Sequence, residues 1–356
     1  MPLTQSVPAP LLKPELEVFG YDQKFSLEGG DSLPGLEIAY STHGELSSKR
    51  DNVVWVFHAL TANANPFEWW PGLIGNNDLI NPSEHFIVCA NMLGSCYGTT
   101  GPDHINPETG EKYGLRFPTI TVRDMVNAHK LLQLHLGIEK IYLGIGGSMG
   151  GQQLLEWVAQ ESSLFENICL IATNAKHSPW GIAFNESQRL ALAADPTLNY
   201  TYDGAGEKGL KAARAIAMLS YRNQGAYGAT QMDEDSKIDD FKASSYQDYQ
   251  GNKLVKRFSP HAYWCLSKAM DSHNVARDRE ATEKVLGKIR ANALILGLEN
   301  DILFQPSEQE FLAKHISKSK FQLVPSIYGH DGFLIETESI SNYIREFLRT
   351  TEYEQI

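Results

Sequence analysis

Short runs of apolar residues, rich in β-branched and aromatic side chains, recur along the chain and predict buried β-strands. Seven such runs occur at Leu36–Ser41, Val53–His58, Phe86–Asn91, Lys140–Ile145, Asn167–Ala172, Ala293–Leu298 and Phe321–Pro325. Several are apolar at nearly every position, which is typical of parallel strands buried on both faces. Helical patterns separate them at Thr121–Leu136, Met149–Gln160, Ser307–Ser317 and Gly332–Arg349. This alternation predicts an α/β fold with a mostly parallel, doubly wound sheet.

One long segment, residues 179–288, interrupts the alternation. It contains no convincing buried strand, and helical patterns dominate it. Its acidic stretch, Asp233–Asp240, is interpreted as a solvated loop. Because ligands of open α/β sheets bind at the carboxyl ends of the strands, an insertion here can cover that site. We therefore predict a core formed by residues 16–178 and 289–352 and a helical lid formed by residues 179–288.

Composition and charge restrict the possible partners. The 356 residues carry 31 Lys and Arg against 43 Asp and Glu, a net charge of −12, which argues against a nucleic-acid binder. No apolar run approaches the roughly 18–20 residues that cross a bilayer. The first residues, Met1–Pro8, lack the basic start and apolar stretch of a signal peptide. The four cysteines form no C-x-x-C pair, so we expect reduced thiols in a cytoplasmic protein with no nucleic-acid or membrane partner.

The strongest chemical signal is a serine between a predicted strand and a predicted helix. Gly146-x-Ser148-x-Gly150 lies at this junction. A serine in such a turn adopts a strained conformation that lifts Oγ clear of the sheet, and the N–H of Met149 is positioned as an oxyanion donor. A chance G-x-S-x-G match is one alternative. A phosphate-binding loop is another, but its characteristic lysine is missing.

A nucleophilic serine needs a base and an acid that orients the base. In this arrangement the chain order is serine, acid, histidine, each at a strand end. His330 follows the last predicted strand, and Asp301 follows the strand before it. Glu299 is the competing carboxylate. We predict a triad of Ser148, Asp301 and His330.

Four stretches of the chain resemble the homoserine O-acyltransferase family of the α/β-hydrolase superfamily, and in particular its O-acetyltransferases. They are Asn91–Pro102, Phe117–Val126, Gly146–Gly151 followed by Gln152, Glu156 and Trp157, and Gly329–Phe333. The resemblance extends from about residue 16 to residue 350. It implies an α/β-hydrolase fold with a helical lid.

The resemblance also implies roles for individual residues. Ser148 would be the nucleophile, His330 the base and Asp301 its orienting acid. Leu60 would supply a second oxyanion N–H beside that of Met149. Arg214 and Tyr221, seven residues apart on one helix face, would hold an amino-acid acceptor, with Arg214 on its carboxylate and Asp331 on its ammonium. Arg214 could instead be an exposed helical arginine, and Asp331 could simply cap the last helix.

The activity implied is transfer of an acetyl group from acetyl-CoA to the γ-hydroxyl of L-homoserine, through an acyl-serine and without a bound cofactor or metal. The resemblance further implies a homodimer formed through lid helices. The alternatives are a succinyl donor, a serine acceptor, a carboxylester hydrolase and a non-catalytic binding module. Two stretches depart from the family pattern, Ala62–Asn65 and Ser259–Ala262. They leave the triad intact and are candidate positions near the substrate channel.

Overall fold

An eight-stranded sheet organises the fold in a computed structural model, which describes residues 16–353. The prediction for Met1–Pro8 lies outside the described residues. The strands are β1 (Glu17–Tyr21), β2 (Phe25–Ser26), β3 (Ser32–Leu33), β4 (Leu36–His43), β5 (Val53–Phe57), β6 (Phe86–Ala90), β7 (Ile141–Gly147), β8 (Phe165–Ile171), β9 (Asn292–Leu298) and β10 (Ser319–Val324). The helices are α1 (Pro66–Trp69), α2 (Val122–His135), α3 (Met149–Gln160), α4 (Pro179–Ala193), α5 (Glu207–Tyr221), α6 (Gln224–Thr230), α7 (Lys242–Val255), α8 (Pro260–Asp271), α9 (Thr282–Gly287), α10 (Pro306–His315), α11 (Gly332–Ile335) and α12 (Thr337–Tyr353).

The main sheet has the strand order β1-β4-β6-β5-β7-β8-β9-β10. The pairs β1–β4 and β4–β6 are antiparallel, and every pair from β6 to β10 is parallel. The predicted α/β fold with a mostly parallel, doubly wound sheet is therefore confirmed. All seven predicted strands are present within two residues at either end.

Both faces of the sheet are covered, because successive residues of a strand point to opposite sides. In β5, Trp55 and Phe57 pack into one apolar layer with α2 and α3, whereas Val54 and Val56 pack into the other layer with α12. All five residues of β5 are buried. This double burial explains why the strand is apolar at every position.

Some residues of the family-like stretches have a structural role. Glu156 on α3 is buried and accepts hydrogen bonds from Arg123, at the start of α2, and from Arg279. Although burial alone would raise the pKa of Glu156, these two guanidinium groups lower it below its usual value. Asp124 forms a capping box with Thr121 at the start of α2. These residues hold α2 and α3 together and cap the start of α2.

Six helices, α4 to α9, occupy the connection between β8 and β9, which the structure describes in full. The first of these helices, α4, begins at Pro179, and the last, α9, ends at Gly287. Inside this segment Arg189 on α4 pairs with Asp271 on α8. None of the helices within residues 16–353 is long and apolar enough to cross a membrane. The four cysteines are free.

The prediction was wrong for the last helix and incomplete at the N-terminal edge. Gly332–Arg349 is two helices, α11 and α12, because Glu336 leaves the helical conformation at ψ 41°. The strand β1 was missed because none of its five residues is buried, so it lacks an apolar run. The hairpin β2–β3 and the helix α1 were missed because they are only two to four residues long.

Candidate active site

The turn between β7 and α3 holds Ser148 in a strained backbone conformation. Its φ is 56° and its ψ is −127°, values that side-chain-bearing residues rarely adopt. The flanking glycines permit the turn. A Cβ on Gly146 would lie 2.5 Å from the carbonyl oxygen of Gly150, and a Cβ on Gly150 would overlap the carbonyl oxygen of Phe57. The side chain of Thr173 holds the turn from below by donating to the Ser148 carbonyl at 2.9 Å.

Ser148, His330 and Asp301 lie together at the carboxyl edge of the sheet. His330 Nε2 is 2.9 Å from Ser148 Oγ, and His330 Nδ1 is 2.7 Å from Asp301 Oδ2. All three residues are buried. Because a carboxylate only accepts hydrogen bonds, the Nδ1–H of His330 donates to Asp301, and this leaves the lone pair of Nε2 facing the serine hydroxyl. The arrangement can remove the proton of Ser148 as Oγ attacks a carbonyl carbon.

The acid is held in place by backbone donors. The N–H groups of Leu303 and Phe304 donate to Asp301 Oδ1 at 2.8 and 2.9 Å. Glu299, the competing carboxylate, is exposed. The chain turns at Asn300, where φ is 63°, and this turn brings Asp301 inward.

Two backbone N–H groups remain free beside Ser148. They belong to Leu60, which follows β5, and to Met149, the first residue of α3. Neither N–H has a hydrogen-bond partner within residues 16–353. The first N–H groups of a helix have no partner inside it, and they favour negative charge. The predicted oxyanion donors are thus available to a ligand.

A cavity of about 290 Å³ opens above Ser148 and His330. The loop after β5 contributes one wall with Ala59–Asn63, and the helix α11 contributes another with Phe333 and Leu334. Its remaining lining residues are Glu68, Trp69, Arg214, Tyr221, Lys253, Arg257 and Asp331. Each predicted acceptor residue, Arg214, Tyr221 and Asp331, therefore lines the same cavity as the predicted nucleophile.

Arg214 and Tyr221 share one face of α5, as their spacing predicts. The guanidinium carbon of Arg214 lies 5.1 Å from the centre of the Tyr221 ring. Burial raises the pKa of Tyr221 while Arg214 opposes the shift, and the hydroxyl stays protonated at neutral pH. Within residues 16–353, Arg214 forms no ion pair, and its buried Nε has no hydrogen-bond partner. Arg214 is not simply an exposed helical arginine.

Asp331 pairs with a residue that the sequence reasoning missed. Arg222 Nε donates to Asp331 Oδ2 at 3.0 Å, and both side chains are partly buried. Asp331 precedes α11 but its side chain makes no capping hydrogen bond, so the capping interpretation is wrong. Arg222 follows Tyr221 directly and lies outside any motif, so nothing in the sequence singled it out.

The two departures from the family pattern have different positions. Ala62 and Asn63 line the cavity, as expected. Ser259–Ala262 contributes none of its lining residues: Ser259 caps α8, and His261 Nε2 lies 2.8 Å from the Leu198 carbonyl. This second stretch stabilises the lid helices.

This chain is similar to known proteins over most of its length. Residues 52–337 match the model of the alpha/beta hydrolase fold family. A homoserine O-acetyltransferase of Cyclobacterium marinum is 48% identical over 93% of this chain and 94% of its own length. The crystal structure of a homoserine O-acetyltransferase from Bacillus anthracis has a TM-score of 0.85, with 21% identity over 94% of this chain and 97% of its own.

An esterase shares the same fold. The crystal structure of esterase E22 has a TM-score of 0.86, with 22% identity over 94% of this chain and 99% of its own. At that identity the likeness establishes the fold alone, whereas the full-length relative at 48% identity establishes the family. This chain belongs to the homoserine O-acetyltransferase family, acyltransferases built on the α/β-hydrolase fold.

Proposed function

We propose that the enzyme transfers an acetyl group from acetyl-CoA to the γ-hydroxyl of L-homoserine through an acyl-serine, as a step of methionine biosynthesis. One observation carries the transferase assignment: the cavity that holds Ser148 also holds Arg214, whose guanidinium has no acidic partner within residues 16–353. A planar guanidinium suits the carboxylate of an amino acid. A simple ester hydrolase needs no such group.

In the first half-reaction, His330 Nε2 takes the proton of Ser148 as Oγ attacks the thioester carbonyl. The N–H groups of Leu60 and Met149 would hold the resulting oxyanion, each contributing roughly 3–4 kcal/mol to transition-state stabilisation. The carbon–sulfur bond breaks, His330 returns the proton to the departing sulfur, and free coenzyme A leaves. Asp301 stabilises the positive charge on the imidazole between these proton transfers.

In the second half-reaction, His330 removes the γ-hydroxyl proton of homoserine, and the resulting oxygen attacks the acetyl-Ser148 carbonyl. The bond to Oγ breaks, and His330 returns the proton to Ser148. Arg214 would bind the acceptor carboxylate, and Asp331 and Tyr221 would complete the acceptor site. An acceptor held in this way competes with water for the acyl-enzyme.

Two cationic side chains in the cavity lining suit an anionic donor. Lys253 and Arg257, at the end of α7 and just beyond it, line the cavity, although the chain as a whole carries a net charge of −12. Arg257 is held by the carbonyl of Thr61 and by the Tyr97 hydroxyl. We propose that these two cations bind the phosphates of coenzyme A, which is a substrate and not a resident cofactor.

The decisive experiment measures free-thiol release from acetyl-CoA and from succinyl-CoA, each without acceptor, with L-homoserine and with L-serine. Steady turnover is expected only with acetyl-CoA and homoserine together, and Ser148→Ala should form no acyl-enzyme detectable by mass spectrometry. A stoichiometric burst that no acceptor accelerates would reject homoserine. Turnover with succinyl-CoA would assign the other donor, and release from simple esters alone would assign a hydrolase.

We further propose a cytoplasmic homodimer formed through lid helices. The four free thiols support the reducing compartment. Large apolar side chains are exposed on α4 and α5, at Trp180, Leu190 and Leu219, and this supports an interface there. Sedimentation of the wild type and of Leu190→Glu tests the dimer, since the charged variant should sediment as a monomer.

A further inference from the structure

Arg222 joins the lid to the turn that carries His330. It follows the last residue of α5, and its Nε lies 3.0 Å from Oδ2 of Asp331, the residue after His330. The exposed fraction is 20% for the Arg222 side chain and 17% for the Asp331 side chain, so the pair is shielded from most of the solvent. An ion pair with this degree of burial orients its members better than an exposed pair does.

Two aromatic rings restrain the guanidinium of Arg222. Its central carbon lies 5.7 Å from the ring centre of Tyr246 on α7 and 5.4 Å from that of Tyr328, which precedes the His330 turn. Both distances fall within the range of attraction between a cation and an aromatic face. The side chain is therefore held by two segments of the chain, α7 and the His330 turn, and it holds the carboxylate of Asp331 in turn.

The ion pair leaves one oxygen of Asp331 available. Oδ2 accepts from Arg222, whereas Oδ1 has no hydrogen-bond partner within residues 16–353. Asp331 lines the cavity beside His330 and Arg214, so the free oxygen belongs to the site that the proposed acceptor would enter. An ammonium group is the natural partner for this oxygen, while Arg214 attracts the carboxylate of the same molecule.

We propose that Arg222 is a positioning residue that selects α-amino acids as acceptors by holding Asp331 toward the acceptor ammonium. This inference rests on the proposed function. Arg222 is not among the residues that line the cavity, so it would act through Asp331, which does line it. Its loss would free the carboxylate to rotate, so the enzyme would bind an acceptor with an amine little better than one without.

The test compares L-homoserine with 4-hydroxybutanoate, which has the same hydroxyl and carboxylate but no amine. For wild type, Arg222→Met, Arg222→Lys and Asp331→Asn, kcat/KM is measured with each acceptor at saturating acetyl-CoA. Arg222→Met is expected to lower the ratio of kcat/KM for homoserine to kcat/KM for 4-hydroxybutanoate by roughly tenfold or more, which corresponds to the loss of one hydrogen bond to a charged group. Arg222→Lys, which keeps the charge but loses the planar fork, should lower it less.

The acylation burst with acetyl-CoA alone serves as the internal standard and should keep its rate in both Arg222 variants. Arg116→Met, which breaks an exposed ion pair with Glu111 away from the cavity, is the matched control. An unchanged acceptor ratio in Arg222→Lys and Arg222→Met, or an equal loss in both half-reactions, would overturn the positioning role. Failure of the wild type to acetylate homoserine overturns the proposed function itself, and that result is visible before any variant is examined.

Discussion

The ring of Phe304 stacks on the imidazole of His330, with ring centres 5.0 Å apart and ring planes 21° apart. The backbone N–H of Phe304 also donates to Asp301 Oδ1 at 2.9 Å. One residue thus packs against the predicted base and fixes the carboxylate that orients it. The preorganisation of the triad depends on this residue as well as on its three members.

Phe304→Leu is expected to lower the rates of both half-reactions by roughly tenfold while changing the KM for homoserine little, because the imidazole loses its stacking partner but the acceptor site does not. Single-turnover acylation and deacylation rates check this. Phe311→Leu, which removes a similar ring–histidine contact on α10 outside the cavity, is the control. A change in KM alone would contradict the assignment.

Lys253→Gln is expected to raise the KM for acetyl-CoA several-fold, and the increase should shrink at high salt because an exposed charge interaction is screened. Steady-state kinetics at two ionic strengths measure this. Lys256→Gln is the matched control, since Lys256 lies three residues away but does not line the cavity. Equal effects of the two substitutions would indicate general attraction and not a phosphate site.

Glu308→Gln is expected to stabilise the protein at alkaline but not at acidic pH. Burial, with a further contribution from the nearby Asp301 carboxylate and despite the hydrogen bond from Asn174, raises the pKa of Glu308 from 4.5 to about 7. Because the folded state binds the proton more tightly than the unfolded state, stability from this group is fully present below pH 4.5 and is lost as the pH rises through 7.

Urea unfolding at pH 4.5 and pH 8 measures the effect. At pH 8 the free energy of unfolding of the glutamine variant should exceed that of the wild type by about 1 kcal/mol, and at pH 4.5 the two should be equal. The difference is this small because the side chain is partly exposed and solvent screens its charge. Glu310→Gln, an exposed neighbour on α10, should show no such dependence. A difference of the same size at both pH values would show that Glu308 does not titrate in this way.

Local rules explain why much of the site could be predicted. Ser148 needs glycine neighbours at a strand–helix junction, and Asp301 and His330 follow buried strands, so each is marked by its own surroundings. The structure brings the three together at 2.7 and 2.9 Å. Arg214 and Tyr221 meet because seven residues make about two helical turns.

Contacts between residues far apart in the chain could not be predicted from the sequence. The contact of Arg222 with Asp331 spans 109 positions in the chain, and that of Arg257 with Tyr97 spans 160. Neither follows from periodicity or spacing, because both depend on how the lid helices lie over the sheet. Asp331 was correctly placed in the cavity, but its existing partner could not be read from the residues around it.

The sequence by itself determined where the strands lie along the chain, the turn at Ser148 and the strand ends that carry the acid and the base, because continuous apolar runs and glycine spacing impose these locally. The tertiary structure alone decided that Glu299 is exposed while Asp301 contacts His330, that Asp331 pairs with Arg222, and that Lys253 and Arg257 line the cavity. These features arise where the lid packs on the carboxyl edge of the sheet, and such packing is a property of distant residues acting together.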